Sequence, residues 1–163
     1  VDCNGTSKEI SEAWGAALCK CLDKVGHTSG IGFAIPGPFD YQHGISLIEG
    51  VKNFDSLFAQ DVKQFIRSLV YPKNLPISFV NDASAFALGE YYAGAAHGSK
   101  RSLIVTLGTG FGSTFLIDGE IQQEAGNGVP ENGYLYHIPS GESIADDYFS
   151  TRWFVKRWKE KAG

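Results

Sequence analysis

Apolar positions along the chain recur at two different spacings, and stretches of each kind alternate. Ile10, Ala13, Trp14, Ala17, Leu18 and Leu22 follow three- and four-residue steps, the spacing of one helical face. Thr6-Ser7-Lys8-Glu9 precedes them as a capping box, in which the Thr6 hydroxyl and the Glu9 carboxylate satisfy orphan amides at a helix start. Gly26 is a suitable stop. Ile31-Gly32-Phe33-Ala34-Ile35 is a short apolar run ahead of Pro36-Gly37-Pro38, which reads as a buried strand with a tight exit. Residues 45–48 suggest a hairpin-like return. Residues 57–70 read as a helix with Val62, Phe65, Ile66 and Leu69 on one side, ended by the breaker at 71–76.

The same alternation continues downstream. Residues 77–80 form a second buried run that passes directly into Asn81-Asp82, and 83–95 read as a small-residue helix. Gly98-Ser99-Lys100-Arg101 is a polar connector, the candidate boundary between domains 1–98 and 99–163. Residues 103–107 and 113–117 read as strands joined through Gly108-Thr109-Gly110-Phe111-Gly112, and Asp118-Gly119 is a hairpin turn into 120–121. Residues 122–141 are irregular and rich in glycine, and 143–161 look helical. Strands alternating with helices make the fold class α/β.

Composition narrows the function classes. A formal net charge of -4 without a basic stripe argues against a nucleic-acid footprint. No apolar run has the length of a membrane span, and the first residues lack a signal-peptide pattern, so a cytoplasmic protein is expected. Cys19 and Cys21 stand two apart on a helix and point to different sides, which favours reduced thiols over a disulfide or a shared metal. Methionine is absent even at position 1, so the chain is expected not to begin at a translation start.

Three features could carry chemistry. Asn81 and Asp82 stand at the carboxyl end of a strand, where α/β proteins place ligands. Asp82 suits a helix N-cap, and it also suits a general base toward a sugar hydroxyl, with the Asn81 amide donating to and accepting from neighbouring hydroxyls. The glycines of 108–112 let main-chain amides approach a phosphate, with the Thr109 hydroxyl as a further donor. That loop is neither a Walker loop nor a dinucleotide fingerprint, because no Gly-Lys-Ser/Thr follows and the next element is a strand. The turn around Gly37 is a rigid exit or a sugar-contacting loop.

In combination, Ile31 to Pro38, the Asn81-Asp82-Ala83-Ser84-Ala85 helix start and Leu107-Gly108-Thr109-Gly110-Phe111-Gly112 resemble the ROK family (repressors, open reading frames and kinases) over roughly residues 5 to 150. The resemblance implies an actin-like ATPase (ribonuclease H-like) fold, with parts of two lobes present: 1–98 ending the N-terminal lobe and 99–163 opening the C-terminal one. It implies ATP-dependent phosphorylation of a hexose or N-acetylhexosamine with Mg²⁺. Asp82 matches the family's catalytic base and Asn81 its sugar-binding neighbour, with Gly37 in a sugar-side loop. Gly108, Thr109, Gly110 and Gly112 match the second phosphate loop. A homodimer is usual by the same resemblance.

The downstream half departs from the family pattern. In Glu131-Asn132-Gly133-Tyr134 a tyrosine replaces the expected histidine, and no cysteine follows Cys21, so no structural zinc site is implied. Asp146 stands where the family carries its last sugar-binding glutamate, and an acidic first turn of a helix explains it equally well. Asp2-Cys3-Asn4-Gly5-Thr6 looks similar to the family's first phosphate loop but reads better as a strand exit and helix cap. The chain is therefore expected to be an internal segment, inactive by itself. A sugar-responsive transcriptional regulator, with a DNA-binding domain ahead of Val1, and a non-catalytic sugar-binding relative are the alternatives.

Overall fold

The structure, a computed structural model, describes residues 2–50 and 53–162. Two compact units divide at Asp82 and Ala83, ahead of the 98/99 boundary expected from the sequence. The small residues at the start of the third helix explain the earlier division. Ala83 and Ser84 are buried, and Ser84 bonds to Thr114 deep in the second unit.

The first unit opens with α1 (Ser7–Val25), capped as expected: Glu9 N–H donates to Thr6 Oγ1 at 3.3 Å and Thr6 N–H to Glu9 Oε2 at 2.8 Å. Before it, Asp2 to Gly5 close a turn, with Asn4 N–H on Asp2 Oδ1 at 2.9 Å and Gly5 N–H on Asp2 O at 3.2 Å. The cap reading of that segment holds, and a turn stands where a strand exit was expected. α1 ends at Gly26. Its inward face carries Ile10, Trp14, Leu18 and Leu22, while Ala17 is exposed.

β1 (Ile31–Ile35) pairs in parallel with β4 (Ile77–Asn81), with Phe33 opposite Phe79 and Ile35 opposite Asn81. Between them, β2 (Phe39–Asp40) and β3 (Ile45–Ser46) form a small antiparallel ribbon. The expected return strand therefore pairs with β2. The helix expected over 57–70 is shorter: a 3-10 turn (Asp55–Leu57) comes first, and α2 runs Val62–Leu69 behind an Asp61 cap that accepts from Gln64 N–H at 2.7 Å. Val62 and Ile66 join Ile35, Phe39, Val70, Ile77 and Phe79 in the core. An aromatic series crosses it, Trp14 to Phe33 at 6.2 Å, Phe33 to Phe79 at 5.4 Å, Phe79 to Phe39 at 5.2 Å and Phe39 to Tyr41 at 5.4 Å. Packed rings of this kind stabilise beyond the area they bury.

The second unit is built on an antiparallel sheet of β5 (Arg101–Leu107), β6 (Phe111–Ile117) and β7 (Glu120–Gln122). Asp118 and Gly119 turn β6 into β7 with φ of 49° and 84°, the backbone that this dipeptide favours. α3 (Asp82–Ala93) lies against β6, where the Ser84–Thr114 hydroxyl pair at 3.1 Å keeps two buried polar groups satisfied. The long helix expected over 143–161 is broken. β9 (Ser143–Ile144) pairs with β8 (Pro139–Ser140), and α4 (Ala145–Phe149) is separated from α5 (Thr151–Ala162) by an extended Ser150. Ser150 is fully buried, so packing fixes the bend where the periodicity alone would run through.

Candidate functional site

In the first unit, the carboxyl ends of β1 and β4 lie side by side, as the parallel pairing requires. Asn81 closes β4 and Asp82 opens α3 with no residue between them. Asp82 is exposed, whereas its neighbour Ala83 is buried. The carboxylate thus sits at a helix start, where main-chain dipoles favour negative charge, and remains accessible to solvent. Asn81 Nδ2 donates to Tyr41 Oη at 3.3 Å, and that hydroxyl in turn donates to Ile35 O at 3.3 Å. A methyl group added to Gly37 would stand 3.2 Å from the same oxygen. Asn81 and the end of β1 are therefore joined through Tyr41, and Gly37 lies close to the same hydroxyl.

Sequence reasoning did not single out Tyr41. The only signal it leaves is its position three residues beyond Pro38, too short a clue to predict a partner forty positions away.

Asp40, beside Tyr41, organises the turn that leads to β3. Its Oδ1 accepts from His43 N–H at 3.0 Å and Gln42 N–H at 3.1 Å, and its Oδ2 pairs with His43 Nδ1 at 2.8 Å. The His43 main-chain bond, then its side chain, hold the Asp40 carboxyl below the ordinary aspartate range.

In the second unit, the glycine-rich segment is the turn of the β5–β6 hairpin. Gly108 N–H donates to Gly110 O at 3.0 Å, and Gly108 to Gly110 are exposed. The amides of Thr109 and Gly110 donate to no group among the described residues. Gly108 has neither a positive φ nor any heavy atom within 4 Å of where a Cβ would stand, so the chain's own packing does not demand glycine there. Gly112 differs: a Cβ there would collide with Thr106 Oγ1 and stand 2.9 Å from Ala83 Cβ. The site thus fits a phosphate by its bare, donor-bearing backbone.

Asp146 is also in this cluster. Its Oδ1 accepts from Phe111 N–H at 2.6 Å and its Oδ2 pairs with Arg152 Nη2, while Thr151 N–H donates to Gly108 O at 2.8 Å. Glu131 lies apart from these contacts, exposed in a 3-10 turn (Glu131–Gly133) that is anchored by Leu135 N–H on Ser113 Oγ at 2.8 Å. Tyr134, in place of the histidine expected there, packs against Tyr136 at 6.1 Å. His137 is exposed, with its ring 5.1 Å from that of Tyr136.

The model of the ROK family matches residues 4–144. The chain belongs to the ROK family. It is 40% identical over 67 residues to a glucokinase of Halalkalibacterium halodurans, an alignment covering 41% of this chain and 20% of that protein. Among solved structures, a ROK hexokinase from Thermus thermophilus superposes with a TM-score of 0.74 at 23% identity, covering 98% of this chain and 54% of that one. A ROK family glucokinase from Streptomyces griseus, solved with glucose and AMPPNP, gives 0.72 at 26% identity, covering 96% and 50%. The α/β architecture is accordingly part of an actin-like ATPase fold, as the sequence implied. This ROK chain spans about half the length of the solved relatives it matches.

Proposed function

We propose that the full-length protein transfers the γ-phosphoryl group of ATP to a hydroxyl of a hexose or N-acetylhexosamine, with Asp82 as the general base. One observation carries the reading: an exposed carboxylate at the β4–α3 junction of a ROK chain, directly after Asn81 and without an intervening loop. The Asp82 carboxylate takes the proton of the attacking hydroxyl, whose oxygen bonds to the γ-phosphorus while the bond to ADP breaks. Asn81, steadied by Tyr41, Gly37 beside it, and Glu131 contact the sugar. Gly108, Thr109, Gly110 and Gly112 hold the phosphates through the exposed turn of the β5–β6 hairpin.

Mg²⁺ would neutralise charge developing on the phosphates. Among the described residues no group of three or more His, Cys, Asp or Glu side chains is placed to hold a metal ion. In this reading residues 1–98 end the sugar-side lobe and 99–163 open the nucleotide-side lobe of a cytoplasmic homodimer. No helix among the described residues is long and apolar enough to cross a membrane.

The test is an ADP-release assay of the full-length protein against a panel of hexoses and N-acetylhexosamines. Sugar-dependent release is expected. Its absence across the panel, with intact sugar binding by calorimetry, would replace the kinase by a sugar-binding relative.

A further inference from the structure

The Asp146 carboxylate has both oxygens engaged within the second unit. One accepts the Phe111 amide at 2.6 Å, at the point where the glycine-rich turn re-enters β6, and the other pairs with Arg152. Its own main-chain amide is held by Tyr136 O at 2.9 Å, so the residue is fixed from both ends. The Asp146 side chain is 20% exposed and that of Arg152 is 62% exposed. A carboxylate so committed has little capacity left for sugar hydroxyls. A cation so exposed has several guanidinium donors still to offer.

The break at Ser150 gives this pairing its place. With φ of -102° and ψ of 159°, Ser150 separates α4 from α5 and swings Thr151 onto Gly108, 2.8 Å from amide to carbonyl. Arg152 follows in the first turn of α5, and the Phe111 and Phe149 rings pack 5.2 Å apart. The uncommitted amides of Thr109 and Gly110, the N-terminal end of a 12-residue helix and the guanidinium are thereby all tied to the hairpin turn, the helix through Gly108 and the guanidinium through Asp146. All three favour an anion.

We infer that Asp146 is a positioning residue that latches the glycine-rich hairpin, and that the Arg152 it holds contacts the phosphates of the nucleotide. The assignment rests on the phosphate-loop reading above, and it moves Asp146 from the sugar to the nucleotide side of the reaction. Asp146 acts through Phe111 and Arg152. Arg152 supplies a charge that backbone amides cannot.

Calorimetry on the full-length protein separates the two roles, with magnesium-AMPPNP as one probe and the hexose of highest turnover as the other. Asp146→Ala and Arg152→Gln are each expected to weaken AMPPNP binding about tenfold, the scale of one lost charge-assisted bond. Hexose binding should stay within about twofold and Arg152→Lys should recover part of the loss. Amide exchange at Phe111 should quicken in Asp146→Ala and remain slow in Asp146→Asn, which keeps an acceptor in nearly the same shape. Weakened hexose binding with unchanged AMPPNP binding in Asp146→Ala would overturn the inference and restore a sugar ligand. Unchanged AMPPNP affinity in Arg152→Gln would remove Arg152 from the phosphates. A wild-type protein that binds neither probe would defeat the kinase reading, and Phe111 exchange would still decide whether Asp146 is a latch.

Discussion

The two units hold their candidate sites by different means. In the first, a parallel pair of strands delivers Asn81 and Asp82 to one edge, and a side chain, Tyr41, ties Asn81 to Ile35. A continuous aromatic series runs from Tyr41 back to Trp14, so the edge is backed by core packing. In the second, an antiparallel hairpin offers bare main chain at its turn, secured from outside by Asp146 and Thr151. Its first strand also leaves Leu103, Val105 and Leu107 exposed at 50%, 43% and 55%. The difference suits the two proposed ligands. A sugar is read by directional side-chain groups, whereas a phosphate can be read by any cluster of N–H donors.

Substitutions can break that contrast, and the largest effect is expected at the first edge. Asp82→Asn should lower kcat of the full-length protein by about 10³-fold, the usual contribution of a general base, with hexose affinity preserved. Steady-state kinetics beside calorimetry checks this, and unchanged kcat would remove Asp82 from proton transfer. Gly112→Ala strikes the second site by crowding. Its methyl group meets Thr106 and Ala83, so about 1–3 kcal/mol of stability should be lost, read by urea denaturation.

A smaller change sharpens the first edge. Tyr41→Phe keeps the ring against Phe39 and deletes the hydroxyl between Asn81 and Ile35. Hexose KM should rise about fivefold, as the loss of about 1 kcal/mol implies, while the KM for ATP stays level. Thr6→Ala, away from both sites, should cost about 1 kcal/mol of stability by uncapping α1. Main-chain and then side-chain bonds from Thr6 lower the Glu9 carboxyl below its ordinary value, so its contribution is complete above that value and fades as the pH falls through the lowered one. Asp40 behaves likewise through His43. Denaturation curves recorded down the acid side should show Thr6→Ala losing less stability on acidification than the wild type.

Local patterning was legible where neighbouring residues hold the information. The capping box at Thr6 and Glu9, the Gly26 stop, the Asp118-Gly119 turn and the Asn81-Asp82 junction all appear where their chemistry predicts. Expectation failed where a distant partner decides. Residues 57–61, expected to be helical, stay outside α2 because distant Ser46 holds this stretch, its N–H donating to Gln60 O and its carbonyl accepting from Ala59 N–H, so that the helix starts only after Asp61. Residues 143–161 keep a helical period, yet burial of Ser150 imposes an extended residue between two helices.

Candidate residues divide along the same line. Asn81, Asp82 and the 108–112 glycines announce themselves by their place next to strands, so their elements and family were readable from the chain alone. Tyr41, the Asp146–Phe111 bond and the Arg152 pair were not, because each joins side chains or amides whose encounter depends on how strands and turns are brought together. A carboxylate in a helix's first turn can serve a dipole, a sugar or a neighbouring loop with equal local propriety. Sequence determined the α/β alternation, the helix caps and the chemical types on offer. Tertiary structure alone decided that Asp146 spends both its oxygens on the hairpin and its arginine, since hydrogen bonds form by distance and angle in space.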